Sequence, residues 1–501
     1  MTTLHHKRPG EVTESDPAAL LATIEAFLSG CRRPAALEYG EKVIPLTPGC
    51  YALEVRSGRL LIEIWDETRS LSRRILATEA AGSGLLDCSI QKFGGKPGRL
   101  TFLDLDRPQT AHRSLRGIRQ NFTEQFRLML ARQFPGWEIP ILSSGLDLRR
   151  SFSSIFPRAR LTRGSRQIAA MACPAAQNEA ELLAFALIWH DHLSLRRRAK
   201  GETPLCLFLP EEAGTLTAHR LRWLSGECFS PRLFRFNEHG SAGEVDPRDL
   251  GNLETRVSAL YAAPQLTPEV QHLLARLEAI RGVGCCPELN GSISIRSRGL
   301  EFARIENGRI LLGIETKREV DACHTEEVAN FAAVAGANSP PRFPERWFES
   351  AVRSNITAID PDLLTSPVHG QVITFAAGDR DLIDLLACSP SGRLAVLELK
   401  TSEDLQLPIQ ALDYWMRVTW HAQRQELRPL FPGVSLEQRP PKLLLVAPAM
   451  SFHSSTAALL RYFSPEVEVE RVGVNSDWQT SLKVVLRLRG ADLPISHGSS
   501  E

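Results

Sequence analysis

Apolar positions along the chain switch repeatedly between helical and strand spacing. "DPAALLATIEAFLSG" (16–30) predicts a helix with Pro17 in its first turn and Gly30 as its stop. "CYALEVRSGRLLIEIW" (50–65) predicts a hairpin turning at Ser57-Gly58, and "GRLTFLDLD" (98–106) a further strand. "TAHRSLRGIRQNFTEQFRLMLARQFPG" (110–136) predicts a long helix ending before Pro135. These elements define a first α+β domain over 17–145, behind a polar tail at 1–16.

In "LDLRRSFSSIFPRARLTRGSRQ" (146–167) six arginines, at 149, 150, 158, 160, 163 and 166, are interleaved with Phe152 and Phe156. That pattern suits a phosphate-facing strip with aromatics, or a solvated linker. Strand and helix then alternate from "RQIAAMAC" (166–173) to "LFRFNE" (233–238), as in a largely parallel α/β sheet. The first helix there, "NEAELLAFALIWHDHLSLRRRAKG", has Asn178 as cap, Glu181 completing a capping box, Arg196–Arg198 in its last turn and Gly201 as stop. His190 and His192 lie two apart on it and face different ways, which argues against a shared metal. Residues 245–290 read as helical and loop-rich, and 293–320 as strands with a turn at Asn307-Gly308. A middle region thus spans 146–334, a Pro- and Gly-rich linker 335–343, a last domain 344–492 and a polar tail 493–501.

The 501 residues are 43% hydrophobic and 23% charged, enough for several cored domains. A formal net charge of +1 announces no nucleic-acid partner, so such a partner must be read from a local site. Ten scattered cysteines without a CxxC pair read as reduced thiols. With no visible signal peptide and no membrane-length apolar run, a soluble cytoplasmic protein is expected. "FGGKPG" (93–98) lacks the Ser or Thr and the upstream glycine of a phosphate-binding loop.

The chemistry concentrates in the last domain. Its predicted order is α-β-β-β-α-β, then α-β-β. "DLIDLLACSPSGRLAVLELK" (381–400) reads as two buried strands joined by Ser-Pro-Ser-Gly, yet it carries Asp384, Glu398 and Lys400. Period two puts Val396, Glu398 and Lys400 on one face, and an antiparallel neighbour would bring Asp384 to it. Gln410 and Tyr414 share a stripe of the next helix, and Glu349 lies beside the apolar stripe of the preceding one. Buried carboxylates are normally paired or hold a metal. Two carboxylates and a backbone carbonyl, for which Leu399 would serve, suit Mg²⁺, which keeps waters that can attack a phosphodiester. A lysine beside the metal would have a depressed pKa or would orient that water.

Asp384, thirteen residues, then Glu398-Leu399-Lys400 within this order resembles the PD-(D/E)xK nuclease superfamily. The Gln410-x-x-x-Tyr414 helix is similar to the RecB-like motif, and "IDLLACSPSGRLAVLELK…QALDY" looks closest to NucS-type endonucleases, although Ile383 stands where a proline is expected. The resemblance covers roughly 344–450. It implies a restriction-endonuclease-like αβββαβ core with a mixed sheet, preceded by α/β regions. It further implies a hydrolase acting on DNA with Mg²⁺ or Mn²⁺, alone, as a homodimer or with a DNA-repair partner. Asp384, Glu398, Glu349 and the Leu399 carbonyl would match the metal ligands, Lys400 the residue that positions water, and Gln410 and Tyr414 the supporting pair. The alternative is a non-catalytic nucleic-acid- or protein-binding module on a degenerate nuclease fold.

The spacing alone decides nothing. Glu301, thirteen residues, then Glu315-Thr316-Lys317 repeats it without the following helix. Two further echoes suggest a degenerate copy of the core: "SGRLLIEIW" (57–65), and the strand–helix run at 167–237.

Overall fold

The computed structural model describes residues 16–38, 44–47, 50–56, 58–65, 70–82, 84–91, 97–104, 106, 108–195, 203–225, 230–237, 239–248, 255–257, 264, 266–280, 282–313, 317–320, 326–328, 330, 344–376 and 379–492. The expected tails up to residue 15 and at 493–501, the linker 335–343, Arg196–Arg198, Gly201 and Glu315 lie outside these. The protein is mixed α and β, with four sheets among the described residues. It divides into two compact units, Met1–Gln125 and Phe126–Glu501, at a point inside a helix rather than near residue 145.

The first unit begins with helix α1 (Pro17–Ser29), whose N-terminal cap is Asp16, accepting from the Ala18 N–H. Leu20, Ile24 and Leu28, four apart, form its buried stripe. They pack on β1 (Pro34–Glu38), β2 (Ile44–Pro45), β3 (Tyr51–Arg56), β4 (Arg59–Trp65), β5 (Ser70–Gly82), β6 (Leu85–Gln91) and β7 (Pro97–Asp104). The sheet order is β2-β1-β7-β6-β5-β4-β3, antiparallel at every step. The echo at 57–65 falls on β4 of this meander, so it belongs to no α/β core.

Helix α2 (Pro108–Gln133) crosses the division. In the second unit come β8 (Glu138–Ser143), β9 (Arg158–Arg163), β10 (Arg166–Ala172), α3 (Glu179–Leu195), β11 (Leu205–Pro210), α4 (Thr215–Leu221), β12 (Pro231–Phe236) and β13 (Ala242–Val245). After β14 (Thr255–Val257), helix α5 (Pro268–Glu278) covers a five-stranded antiparallel sheet. Its strands are β15 (Val283–Pro287), β16 (Ile293–Ser297), β17 (Leu300–Glu306), β18 (Arg309–Leu312) and β19 (Arg318–Val320). The predicted Asn307-Gly308 turn joins β17 to β18, with φ of 50° and 76°. The last region holds α6 (Pro344–Ser354), α7 (Ile356–Ile359), β20 (His369–Ala376), β21 (Asp379–Cys388), β22 (Leu394–Leu399), α8 (Leu407–Gln423), β23 (Lys442–Pro448), α9 (Thr456–Leu460), β24 (Val469–Val474) and β25 (Val484–Arg489).

Two sheets of this unit share one plan. Along β8-β9-β10-β11-β12-β13 the neighbours are antiparallel, antiparallel, parallel, parallel, antiparallel. The same series describes β20-β21-β22-β23-β24-β25, with β14 added outside β20. The crossover helices also match: α3 and α8 precede the second parallel strand, and α4 and α9 the third. The sequence carries the repeat too. "TAHRLRWLS" (217–225) and "TAALLRYFS" (456–464) are identical at five of nine positions.

Contacts between the repeats are reciprocal. Ser225 N–H donates to Tyr462 O at 2.7 Å and Ser464 N–H to Trp223 O at 2.8 Å, around an antiparallel bridge between Leu224 and Phe463. Trp223 meets Trp415 edge-on at 4.8 Å, and Tyr462 meets His190 the same way at 5.6 Å. Equivalent residues touching one another are the mark of a two-fold relation. One apolar core, from Phe152 to Val469, runs through both repeats.

The arginine-rich segment at 146–167 is not a linker, since it contributes β9 and the start of β10, and its arginines divide: Arg149, Arg150, Arg163 and Arg166 are exposed and Arg158 is not. Phe152 and Phe156 are buried in that core. Arg158 is buried too, donating to Gly145 O at 2.7 Å and Ser153 O at 3.1 Å and lying 4.4 Å from the Phe152 ring centroid. The backbone carbonyls and ring satisfy the guanidinium that the sequence suggested for phosphate.

Candidate active site

The pair β21–β22 explains why Asp384 and Glu398 meet. Leu385 is paired with Leu397, so one step further Asp384 stands opposite Glu398. Asp384 Oδ2 accepts from the Leu399 N–H at 2.9 Å, and Lys400 Nζ lies 3.3 Å from Glu398 Oε1. The Glu398 side chain is 2% exposed and that of Lys400 16%. Helix α8 packs over β22 and β23 and carries Gln410 and Tyr414 one turn apart, with Tyr414 in the shared core. Gln410 Oε1 is buried and accepts no hydrogen bond among the described residues.

Burial pushes the Asp384 carboxyl up to about 7, with Glu349 and Glu345 adding to the rise. Lys400 and the Leu399 N–H oppose it without prevailing. For Lys400, burial favours the neutral amine, but Glu398 and Asp384 outweigh it and hold the group above its ordinary value. Lys400 is therefore an ammonium. In the metal-free protein the lysine's pKa is thus raised rather than depressed.

Glu349 reaches the neighbourhood from α6 but is turned to another partner. Its Oε2 accepts from Arg296 Nη1 at 3.4 Å, and Arg296 also donates to Glu288 at 3.0 Å. Its other oxygen approaches Gly370 so closely that a Cβ there would sit 2.5 Å away. Glycine at 370, paired with Leu385, thus makes room for Glu349 beside the strand that bears Asp384. Among the described residues no three of His, Cys, Asp and Glu come together as a metal-holding group, so Glu349 does not complete one with Asp384 and Glu398. Arg296 was not foreseen; a buried glutamate on an apolar helix face was the signal that a cation had to meet it.

The decoy spacing is a salt-bridge network. Glu301 bonds Arg304 at 2.6 Å and Ser294 and Lys317 as well. Burial would raise its carboxyl, but these donors hold it down at about 2. His190 bonds Tyr462 Oη at 2.7 Å and Thr203 O at 2.8 Å, and His192 stacks on Trp189.

The first repeat supplies a register-matched comparison. Cys173 N–H donates to Phe208 O, one residue beyond the Ala172–Phe208 pair; Lys400 N–H donates to Val446 O, one beyond Leu399–Val446. Cys173 is thus the counterpart of Lys400, and Met171 that of Glu398. Met171 is paired with Arg158, which therefore stands where Asp384 stands. On the helices, His190 bonds Thr203 O as Trp415 Nε1 bonds Pro441 O at 2.7 Å, each acceptor five residues before the aligned strand residues Phe208 and Val446. That anchor makes Phe185 and Trp189 the counterparts of Gln410 and Tyr414. The five site positions of the first repeat thus hold Arg158, Met171, Cys173, Phe185 and Trp189. Arg158 lies 5.9 Å from the Trp189 ring, and burial pushes the Cys173 thiol well up, leaving it neutral.

No protein-family model matches the chain, and no curated protein matches it. No helix of the described residues is long and apolar enough to cross a membrane.

Proposed function

We propose that the second repeat is a divalent-metal-dependent deoxyribonuclease centre hydrolysing phosphodiester bonds. The observation that carries this reading is the pairing of half-buried Asp384 with buried Glu398 on adjacent strands, faced by Lys400. The order α6-β20-β21-β22-α8-β23 around a mixed sheet agrees with the PD-(D/E)xK core that the sequence resembles.

The residues fit a cation. Two apposed carboxylates face one ammonium, Asp384 is driven to about 7, and Gln410 Oε1 is buried without a donor. Asp384, Glu398 and the Leu399 carbonyl would hold Mg²⁺ or Mn²⁺, which supplies an acidified water and charge neutralisation at phosphate. Glu349, held by Arg296, supports the strand rather than the ion. Lys400 stays protonated and offers N–H donors to the attacking water or to a phosphate oxygen as negative charge builds there. The water oxygen bonds to phosphorus, one P–O ester bond breaks and the departing oxygen takes a proton. A phosphate monoester and a hydroxyl end result.

A second reading has the first repeat as its precedent: a non-catalytic module on a retired core. The test is cleavage of single-stranded, flapped and duplex DNA with Mg²⁺ or Mn²⁺ by wild type, Asp384→Ala and Lys400→Ala. Cleavage by wild type alone is expected; equal residual cleavage in all three sinks the enzymatic reading.

A further inference from the structure

We infer that the chain is a fused two-fold pair with one working centre, which nicks one strand of duplex DNA and leaves the other intact. This rests on the nuclease reading above. Duplex DNA has two-fold symmetry in its backbones, and two centres related by a two-fold axis address its two strands. The chain builds such a pair within itself. Gln406 and Glu181, equivalent by the helix anchor, touch each other through Gln406 Nε2 and Glu181 O at 3.3 Å, as Leu224 and Phe463 do at their bridge. Those are the contacts of residues lying at a two-fold axis.

Only one half has the chemistry. Where the second repeat has two carboxylates, the first has Arg158 and Met171, and a neutral thiol replaces the ammonium. Arg158 also closes the space by bonding Gly145 O and Ser153 O and lying over Phe152. At the five aligned positions, Arg158, Met171, Cys173, Phe185 and Trp189, the first repeat offers no carboxylate or amide oxygen for a divalent ion. The face that would join a second copy of a single repeat is occupied by its own fused partner, through the shared core and the reciprocal bonds of Ser225 and Ser464. One engagement therefore consumes one water and breaks one P–O bond.

The test uses the full chain with Mg²⁺ or Mn²⁺ on supercoiled plasmid, across a wide range of protein concentration. Open circles are expected first. Linear DNA should follow only after many nicks, at a share independent of protein concentration, and Glu398→Gln should abolish both products. Linear DNA at the earliest times, or a linear share that rises with protein concentration, would show a second working centre and overturn the inference while leaving the nuclease reading intact. No cleavage with either metal would overturn that reading and the inference with it.

Discussion

At positions 158, 171 and 173 the first repeat carries Arg, Met and Cys; at the matching positions 384, 398 and 400 the second carries Asp, Glu and Lys. The strand order, the crossovers and the shared core are the same on both sides. This architecture therefore folds without the two carboxylates and the lysine at the three positions. Carboxylates kept in a buried hairpin that does not require them cost stability, since desolvation of ions takes several kcal/mol. The contrast separates what the fold needs from what it does not, and supports the proposed roles of Asp384, Glu398 and Lys400.

The largest expected effect breaks the symmetry of that comparison directly. Glu398→Gln keeps the shape and removes a charge, and cleavage should fall about 10⁴-fold, or about 5 kcal/mol in the barrier. Its counterpart Met171→Leu should leave the rate within about twofold. Steady-state rates of both variants on the same duplex decide this; a matched loss in the two would mean that both repeats work.

Next comes the seam. Arg220 bonds Asp413 through two N–H groups at 2.7 and 2.6 Å, with side chains 1% and 8% exposed. By the same alignment, the symmetry-related positions hold Leu459 and Ile188, both in the shared core. One seam thus carries a buried ion pair where its mate is apolar. Asp413→Asn should destabilise by about 3–5 kcal/mol, because a buried guanidinium is left without its counter-charge. Arg220→Leu with Asp413→Ile copies the other seam and should recover most of that loss. Urea unfolding of the three variants tests it; a double variant as weak as the single one would mean that the seams are not equivalent.

Much of this was legible in the residues. Period-two spacing put Glu398 and Lys400 on one face, and Ser389–Gly392 announced the hairpin that brings Asp384 across. The alternation at 166–238 predicted parallel strands, which are present. Within the arginine-rich segment Arg158 misled because sequence shows composition but not partners: it is satisfied by Gly145 and Ser153 carbonyls, brought to it by a loop. Glu349 misled for a like reason, since Arg296 comes from a separate sheet. The repeat was half visible. Its clear mark, Thr-Ala-x-x-Leu-Arg at 217–222 and 456–461, sits on short helices, while the echo at 57–65 drew attention to a meander.

A smaller effect sharpens the contrast through pH. In metal-free protein Asp384 titrates near 7, above the unfolded value of about 4. Below about pH 4 both states are protonated. Between about 4 and 7 the folded state keeps a proton that the unfolded chain has released, so stability falls as pH rises, then levels off. A rise from about 4 to about 7 corresponds to a loss of about 4 kcal/mol across that window, the pull of Lys400 included. Asp384→Asn should abolish this component. Unfolding free energies of the two proteins in EDTA from pH 4.5 to 8 check it; parallel curves would place Asp384 in water rather than in the hairpin.

The smallest effect concerns what the repeats still share. Thr217 and Thr456 are aligned in the two copies, and each Oγ1 is buried without a hydrogen bond among the described residues. A buried hydroxyl left unpaired costs about 1–3 kcal/mol, so replacing it by a methyl of like shape should be neutral or favourable. Thr217→Val and Thr456→Val should each raise stability by about 1 kcal/mol. The two sites share no partner, so the double variant should gain close to the sum. A gain at one and a loss at the other, in urea titrations, would reveal a donor or a water held by only one repeat. That outcome would extend the divergence from the site itself to the helices of the seam, which otherwise have kept Thr, Ala, Leu, Arg and Ser in step.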